Sequence, residues 1–298
     1  TTFADISKRK ADDGMFGIAI LLVIGSGFLH SLWNLFAKRS LDKNIFLWFC
    51  NLVGVIAFLP WVIMEWDAGR FAGMGLVFVI ATTLLHGLYM NLVAATYSAG
   101  DLSQVYPIMR GVSPLLVPLI GVTLLDERLT VFGWLGVAAI VTGIWVLSNF
   151  KLKLKIGEPS SFKAPLLAFA VGLCVTGYIV TDKIGIGYVP PVVLNEFSHL
   201  GGVLGLSWAV FNAAGVRREL RVNWKYMLIG GVILPGGYLL FLLALKLAPV
   251  AQLAPMREIG IVFGTVMGIL LLRERQGIRR ILASIVITAG VVVIGIWG

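Results

Sequence analysis

The feature that most constrains this chain is a long segment that occurs twice. Residues 104–128 read QVYPIMRGVSPLLVPLIGVTLLDER, and residues 252–275 read QLAPMREIGIVFGTVMGILLLRER. With one residue deleted from the second copy, Gln104 aligns with Gln252 and Pro107 with Pro255. Met109 and Arg110 then fall on Met256 and Arg257, and Glu127 and Arg128 on Glu274 and Arg275. Each copy is apolar over a bilayer-spanning length, is interrupted early by proline and holds one arginine inside. A guanidinium in hydrocarbon costs about 2.5 kcal/mol or more, so a cation that recurs is expected to face protein or water along a functional pathway.

The solvent follows from composition. Hydrophobic residues make up 58% of the chain and charged residues 13%, with a mean hydropathy of +0.93. Apolar runs of about 20 residues recur from end to end, each reading as a membrane-spanning helix. The spacing predicts ten: 15–37, 44–66, 72–98, 104–125, 130–149, 164–181, 190–211, 224–248, 252–272 and 278–297. The first run is too long for a signal-peptide core and has no small-residue cleavage site, so it reads as a retained span. Cys50 and Cys174 both fall inside spans and imply no disulfide framework. The net charge of +9 sits in short loops beside spans, which points to membrane topology and away from nucleic acid.

The longest polar connection, 151–163, falls halfway and divides the chain into two units, 1–150 and 151–298. The repeat extends across both. Trp33 and Lys38 match Tyr178 and Lys183, Gly54 and Trp61 match Gly201 and Trp208, and Gly143 matches Gly290, in a register of 145 to 148 residues. Five spans is an odd number, so the second unit enters the bilayer the other way up. The expected fold is therefore all-α: ten transmembrane helices as two inverted five-helix repeats, an architecture suited to alternating access around a site near the midplane. Lysine and arginine concentrate after spans one, five, seven and nine, which puts both termini outside, although Lys8, Arg9 and Lys10 ahead of the first span pull the other way.

The chain's three histidines, His30, His86 and His199, all lie within spans. The eighth span carries Pro235-Gly236-Gly237-Tyr238 at its centre, where proline removes a backbone donor and leaves carbonyls for a ligand. Tyr89 shares a helix face with His86, and Ser26, His30, Trp33 and Asn34 form one stripe of the first span. These groups, with Tyr106 and Tyr178, are expected to line a small-molecule cavity with aromatic walls. For a histidine the competing reading is a bond between helices, and for Trp33 an interfacial anchor. Trp48, Trp61, Trp66, Trp134, Trp208, Trp224 and Trp297 read as belt residues near span ends. Gly260, Gly264 and Gly268 mark a face for close helix packing, within one chain or in a homodimer.

Arg110 and Arg257 each lie ~6 residues into a span, a depth of ~9 Å at ~1.5 Å per residue. Entering from opposite faces, they suit an anionic or zwitterionic substrate held between them. The alternatives are snorkelling to head groups or a structural tie to Glu258 or Glu196. Proton coupling, if present, falls to His86, His199 or Glu196, since histidine titrates near neutral pH. Glu196 and His199 share a Glu-x-x-His spacing, but the second pair that a carboxylate-bridged metal centre needs is missing, so no metal site and no cofactor are expected. No zinc-protease His-Glu-x-x-His and no Gly-x-Ser-x-Gly occurs, which argues against an intramembrane enzyme.

Taken together, these residues resemble the drug/metabolite transporter superfamily, specifically its EamA-type ten-helix carriers. The resemblance covers nearly the whole chain. It rests on the doubled five-helix unit, Trp33-Asn34 with Lys38, the run from Tyr106 to Gly111, and the Leu-Asp-Glu-Arg-Leu turn at 125–129 with its echo at 272–275. The family implies secondary transport, often metabolite export across a bacterial inner membrane, and cytoplasmic termini against the charge pattern. Its sugar-phosphate members hold phosphate with basic residues in the fourth and ninth spans, at places comparable to Arg110 and Arg257. A lipid or lipid-head-group flippase gripping phosphate with the same arginines is the alternative function.

Overall fold

A computed structural model describes residues 3–66, 73–99, 102–147, 160–270 and 278–298, with side chains from Gly14 onward except at 102–104 and 160–161. The connector 151–159, and the second Glu-Arg pair at Glu274 and Arg275, lie outside the described residues. Among the described residues every regular element is helical: α1 (Phe3–Arg39), α2 (Lys43–Met64), α3 (Met74–Ala99), α4 (Leu102–Leu124), α5 (Val131–Leu147), α6 (Ser160–Gly185), α7 (Pro191–Leu206), α8 (Ala213–Leu247), α9 (Val250–Met256), α10 (Ile259–Leu270) and α11 (Ile278–Trp297), with a 3₁₀ turn at Ser207–Phe211. Eight segments are long and apolar enough to cross a bilayer, Val250–Leu270 counting as one. The others are α5, apolar but only 17 residues long, and α7, whose 16 residues hold a polar row and continue into the 3₁₀ turn.

Three boundaries differ from expectation. Helix α1 extends back to Phe3. Helix α8 starts at Ala213 and not near 224, so the basic stretch around Arg217, Arg218 and Arg221 is helical. Its start is fixed locally: the Asn212 side chain accepts from Gly215 N at 3.1 Å, and Glu219, fully buried, accepts from Asp42 N at 2.9 Å and from Asn223 Nδ2 at 2.6 Å. Hydropathy missed this helix because its partners are polar. Third, the ninth span is broken. Helix α9 ends at Met256, the turn through Arg257 and Glu258 is held by Glu258 N to Pro255 O and Ile261 N to Glu258 O, and α10 begins at Ile259. Its counterpart α4 runs unbroken past Arg110 despite Pro107, Pro114 and Pro118.

The inverted repeat is visible in which helices meet. Exchanging the halves turns α1 on α8 into α6 on α3, α2 on α8 into α7 on α3, and α1 on α10 into α6 on α4, and all six contacts are present. The self-paired contacts α5–α11, α2–α7 and α4–α9 are present as well. The symmetry extends to single glycines. A Cβ on Gly54 would stand 3.0 Å from Gly231 O and 2.8 Å from Pro235 Cγ. One on its mate Gly201 would stand 2.2 Å from Thr83 O, and Gly87 lies against the same turn. Likewise Gly143 meets Ala283 O and Ile287, as Gly290 meets Gly136 O and Ile140. Backbones approach at these crossings without an intervening side chain, which is how helices associate where lipid removes the hydrophobic driving force. Gly260 does the same against Gly27 O at 2.9 Å, tying α10 to α1 beside the break. Of the seven tryptophans expected near span ends, Trp61, Trp66, Trp208, Trp224 and Trp297 are exposed, whereas Trp48 and Trp134 are half-buried.

Candidate functional site

Helices α3, α6 and α8 bring an aromatic and polar cluster into the interior. One turn of α3 holds His86, whose Nδ1 lies 2.9 Å from Thr82 O and 3.2 Å from Thr82 Oγ1. Its ring sits 4.2 Å from Tyr178 on α6 and 5.2 Å from Tyr238 on α8. Tyr89 meets Tyr178 edge-on at 5.7 Å. From α7, His199 reaches the Tyr238 ring at 6.5 Å, and its Nδ1 is 2.7 Å from Asn51 Oδ1 on α2. His86, Tyr178, His199 and Tyr238 are all buried. The tyrosine hydroxyl of Tyr238 donates to Asp182 Oδ2 on α6, a fully buried carboxyl.

The break in the ninth span adds the charges. Arg257, at the C-terminus of α9, lays its guanidinium over Phe241 at 4.5 Å and over Tyr238 at 5.3 Å, and its Nε donates to Ser26 Oγ at 3.2 Å. These are cation–π geometries, which hold a guanidinium without neutralising it. Arg110 is placed differently. Its Nη2 stands 3.1 Å from Glu258 Oε2, the tie that the sequence left open as an alternative to substrate binding. Both side chains keep some accessibility, 25% and 12% respectively, although they lie inward of α4 and α9. The arginines, Glu258, His30, Tyr89 and Tyr178 are close enough to interact electrostatically.

Around this centre the remaining candidates divide. His30 is half-buried and meets Trp33 edge-on at 5.2 Å, so α1 contributes one polar ring. Trp33 packs against a separate apolar cluster with Phe46, Cys50 and Met227. Asn34 is exposed and donates to His30 O on its own helix at 2.7 Å, so nothing draws it to the others. Tyr106 is half-buried one turn before Arg110 and within its electrostatic range. On α7, Glu196 is buried with Oε1 unpartnered, Asn195 has neither amide atom bonded, and His199 Nε2 has no partner. Among the described residues no group of three or more metal-ligating side chains forms.

At the far end of α6 a second polar node joins four elements. Lys183 Nζ donates to Leu245 O at 2.7 Å and Ala248 O at 2.9 Å, satisfying the C-terminus of α8, and stands 3.6 Å from Glu127 Oε1. Glu127 in turn accepts from Val250 N at 2.9 Å and Ala251 N at 2.8 Å, capping the start of α9. A carboxylate belongs at a helix N-terminus and an ammonium at a C-terminus. The sequence gave Glu127 only as the repeat mate of Glu274 within the turn at 125–129, and Lys183 only as the repeat mate of Lys38.

Sequence reasoning missed Asp182 and Phe241. For Asp182 a signal existed: it follows Tyr178 by four residues and so shares its helix face. The neighbouring lysine made the pair look like the end of a span. Phe241 carried no signal, being one aromatic among 17 phenylalanines.

Comparison with curated proteins gave no match. Among solved structures, one titled only "Crystal structure of protein" aligns at a TM-score of 0.73 and 15% identity, covering 94% of this chain and 99% of that one, which establishes a shared fold. The model of the EamA-like transporter family matches twice, over residues 17–149 and 162–296, once on each five-helix unit. With its described helices falling into two inverted halves around a polar centre, the chain is a multi-pass membrane protein that belongs to the EamA-like transporter family.

Proposed function

We propose that the protein moves a small monoanionic or zwitterionic metabolite, such as an amino acid or other carboxylate, by alternating access across a cell's inner membrane. The observation that carries this is Arg257. Its guanidinium lies at a helix break, on the faces of Tyr238 and Phe241, with no carboxylate at ion-pair distance among the described residues. Cation–π contacts leave its charge available, and a planar fork suits a carboxylate. The neighbouring Arg110–Glu258 pair is internally balanced, so Arg257 is the guanidinium left for the substrate. That favours one negative charge on the substrate over two. His30, His86, Tyr89, Trp33, Tyr178 and Tyr238 shape the site, with Tyr106 beside Arg110, while Asn34 sits at its margin. His86 and His199, which both meet the Tyr238 ring, and Glu196 on α7 are the further candidates for a proton pathway. Export is the direction we propose, in keeping with the family's habit.

A thermal-shift screen of the purified chain with amino acids, carboxylates, phosphates and phosphonates tests the reading. A ligand at a hundredfold excess over its Kd stabilises by about 2.7 kcal/mol, enough to read. The expected result is a shift from a monoanion or zwitterion that Arg257→Gln erases. Shifts confined to phosphate dianions, or a shift that survives Arg257→Gln, overturn it. Scrambling of labelled lipid by the reconstituted protein, with no soluble ligand bound, assigns the site to head groups instead.

A further inference from the structure

Asp182 has no place in the substrate reading, yet it is the most enclosed acid near the site. It is fully buried, its Oδ2 takes the Tyr238 hydroxyl and its Oδ1 makes no hydrogen bond. The adjacent Lys183 is not its partner, because that ammonium is spent on Glu127 and the end of α8. An isolated carboxylate in such a place is costly unless a charge compensates it or it takes up a proton. The one cation linked to it is indirect. Arg257 lies on the ring of the same Tyr238 whose hydroxyl meets Asp182.

From this bridge we infer that Asp182 carries a proton that binds and leaves together with the anion at Arg257, an inference that rests on the transport reading above. With the site empty, Arg257 and Asp182 balance across Tyr238. An anion on the guanidinium removes that balance and leaves a second negative charge in the interior. Asp182 then takes a proton from the aqueous phase open to the site, and returns it to the opposite phase when the anion leaves. Linkage is reciprocal, so the proton in turn strengthens anion binding. The anion and the proton therefore cross in the same direction, and the transferred pair carries no net charge.

The titratable and charged groups facing this interior from the elements packed on α6 are His86 and Tyr89 on α3, Tyr106 and Arg110 on α4, Tyr238 on α8 and Arg257 at the end of α9. On α6 itself stand Tyr178 and Lys183, and Glu258 follows Arg257. His86 Nδ1 is held by Thr82, His199 Nδ1 by Asn51, and Glu258 by Arg110; Glu196 on α7 also has an unpartnered Oε1 among the described residues, but it is Asp182 that receives the hydroxyl of the ring beneath Arg257. His86 and His199 also meet the Tyr238 ring, but it is Asp182 that takes its hydroxyl.

The test is infrared difference spectroscopy of the purified full-length chain, titrated with protons alone as the probe. A protonated-carboxyl stretch should appear on acidification, vanish in Asp182→Asn and change frequency in Tyr238→Phe, which removes the hydroxyl donated to it. Arg257→Gln imitates the neutralised guanidinium, and there the band should persist to higher pH than in the wild type. A wild-type spectrum that Asp182→Asn leaves unchanged overturns the assignment. So does an Asp182 band whose pH dependence ignores Arg257→Gln, since coupling to the anion would then be absent. Circular dichroism and thermal unfolding establish that each variant is folded, and Tyr238→Phe retains the acid if Asp182→Asn is not. The infrared reading needs no substrate, so its failure leaves anion binding standing, while failure of the ligand screen leaves the titration of Asp182 intact.

Discussion

The crossing of α3 and α7 gives the most exacting test of the packing on which the site depends. Gly201→Ala places a methyl carbon 2.2 Å from Thr83 O, a backbone atom that no rotamer change can move aside. A carbon–oxygen contact relaxes at about 3.3 Å, so the two helices must separate by roughly 1 Å. A gap of that size forfeits a quarter to a half of each dispersion contact along the seam, and overpacking of this kind costs typically 1–3 kcal/mol and occasionally more, here about 3. For a chain of this length roughly 2 °C of Tm accompanies each kcal/mol, giving a fall of about 6 °C. The repeat mate Gly54→Ala should cost less, because its nearest obstacle is Pro235 Cγ at 2.8 Å and the carbonyl of Gly231 is at 3.0 Å. Gly177→Ala is the control: the nearest atom is Leu85 Cδ2 at 3.8 Å, and alanine gains about 1 kcal/mol of helix propensity. Tryptophan fluorescence during heating of detergent-purified protein reads all three. Equal Tm values for Gly201→Ala and Gly177→Ala would refute the close-crossing argument, and with it the placement of His199 beside Tyr238.

Three further outcomes follow from the charged groups. Arg257→Lys should weaken anion binding by roughly tenfold or more in isothermal titration, because the ammonium lacks the planar fork and spreads poorly over two rings; an unchanged Kd would remove the guanidinium from the site. Arg110→Gln alone should lower stability by about 3–5 kcal/mol by stranding Glu258, whereas the double change Arg110→Gln with Glu258→Gln should recover much of it; a double variant as unstable as the sum of the singles shows that the two do not act as a pair. Glu127→Gln and Lys183→Met should each lower Tm, by about 1–2 kcal/mol equivalent through lost capping, and their combination by less than the sum; strict additivity would mean the node at the α8–α9 junction is two independent caps.

Much of the architecture was legible because membranes constrain sequence severely. Span count and the pairing of Gly54 with Gly201 and Gly143 with Gly290 could be read before any coordinates, since a glycine that admits a neighbouring backbone leaves the same mark in both halves. The helical start of α8 was not legible, because its fit rests on Glu219 meeting a backbone amide of the α1–α2 turn, a contact between residues 177 positions apart. The site was legible as a set of residue types. His86, Tyr89, Tyr178, Tyr238 and Arg257 do assemble, whereas Asn34 turns back on its own helix, and no one-dimensional pattern says which way an amide at a span end will turn. Arg110 and Arg257 look equivalent in sequence. Their difference lies in Glu258, which has Gly111 as its counterpart in the first copy and so gives the pair a partner that only one half supplies.

That difference bears on how such a carrier works. Two halves related by inversion offer two end states built from exchanged contacts, so an empty carrier has no large reason to prefer one side. The seams that must slide, α1 on α8 and α6 on α3, obey the symmetry closely. The chemistry does not. The single deletion that distinguishes the second copy of the repeat falls between Pro255 and Met256, two residues before the helix breaks. Breaking α9 from α10 there sets Arg257 on Tyr238 and Phe241, while the unbroken α4 delivers Arg110 to Glu258. On the alternating-access reading proposed above, the symmetric scaffold supplies the motion and the asymmetric break supplies one site. On the same reading, pairing Arg110 with Glu258 spares the interior the mutual repulsion of two free cations and leaves Arg257, on the ring that meets Asp182, as the one guanidinium that answers the anion.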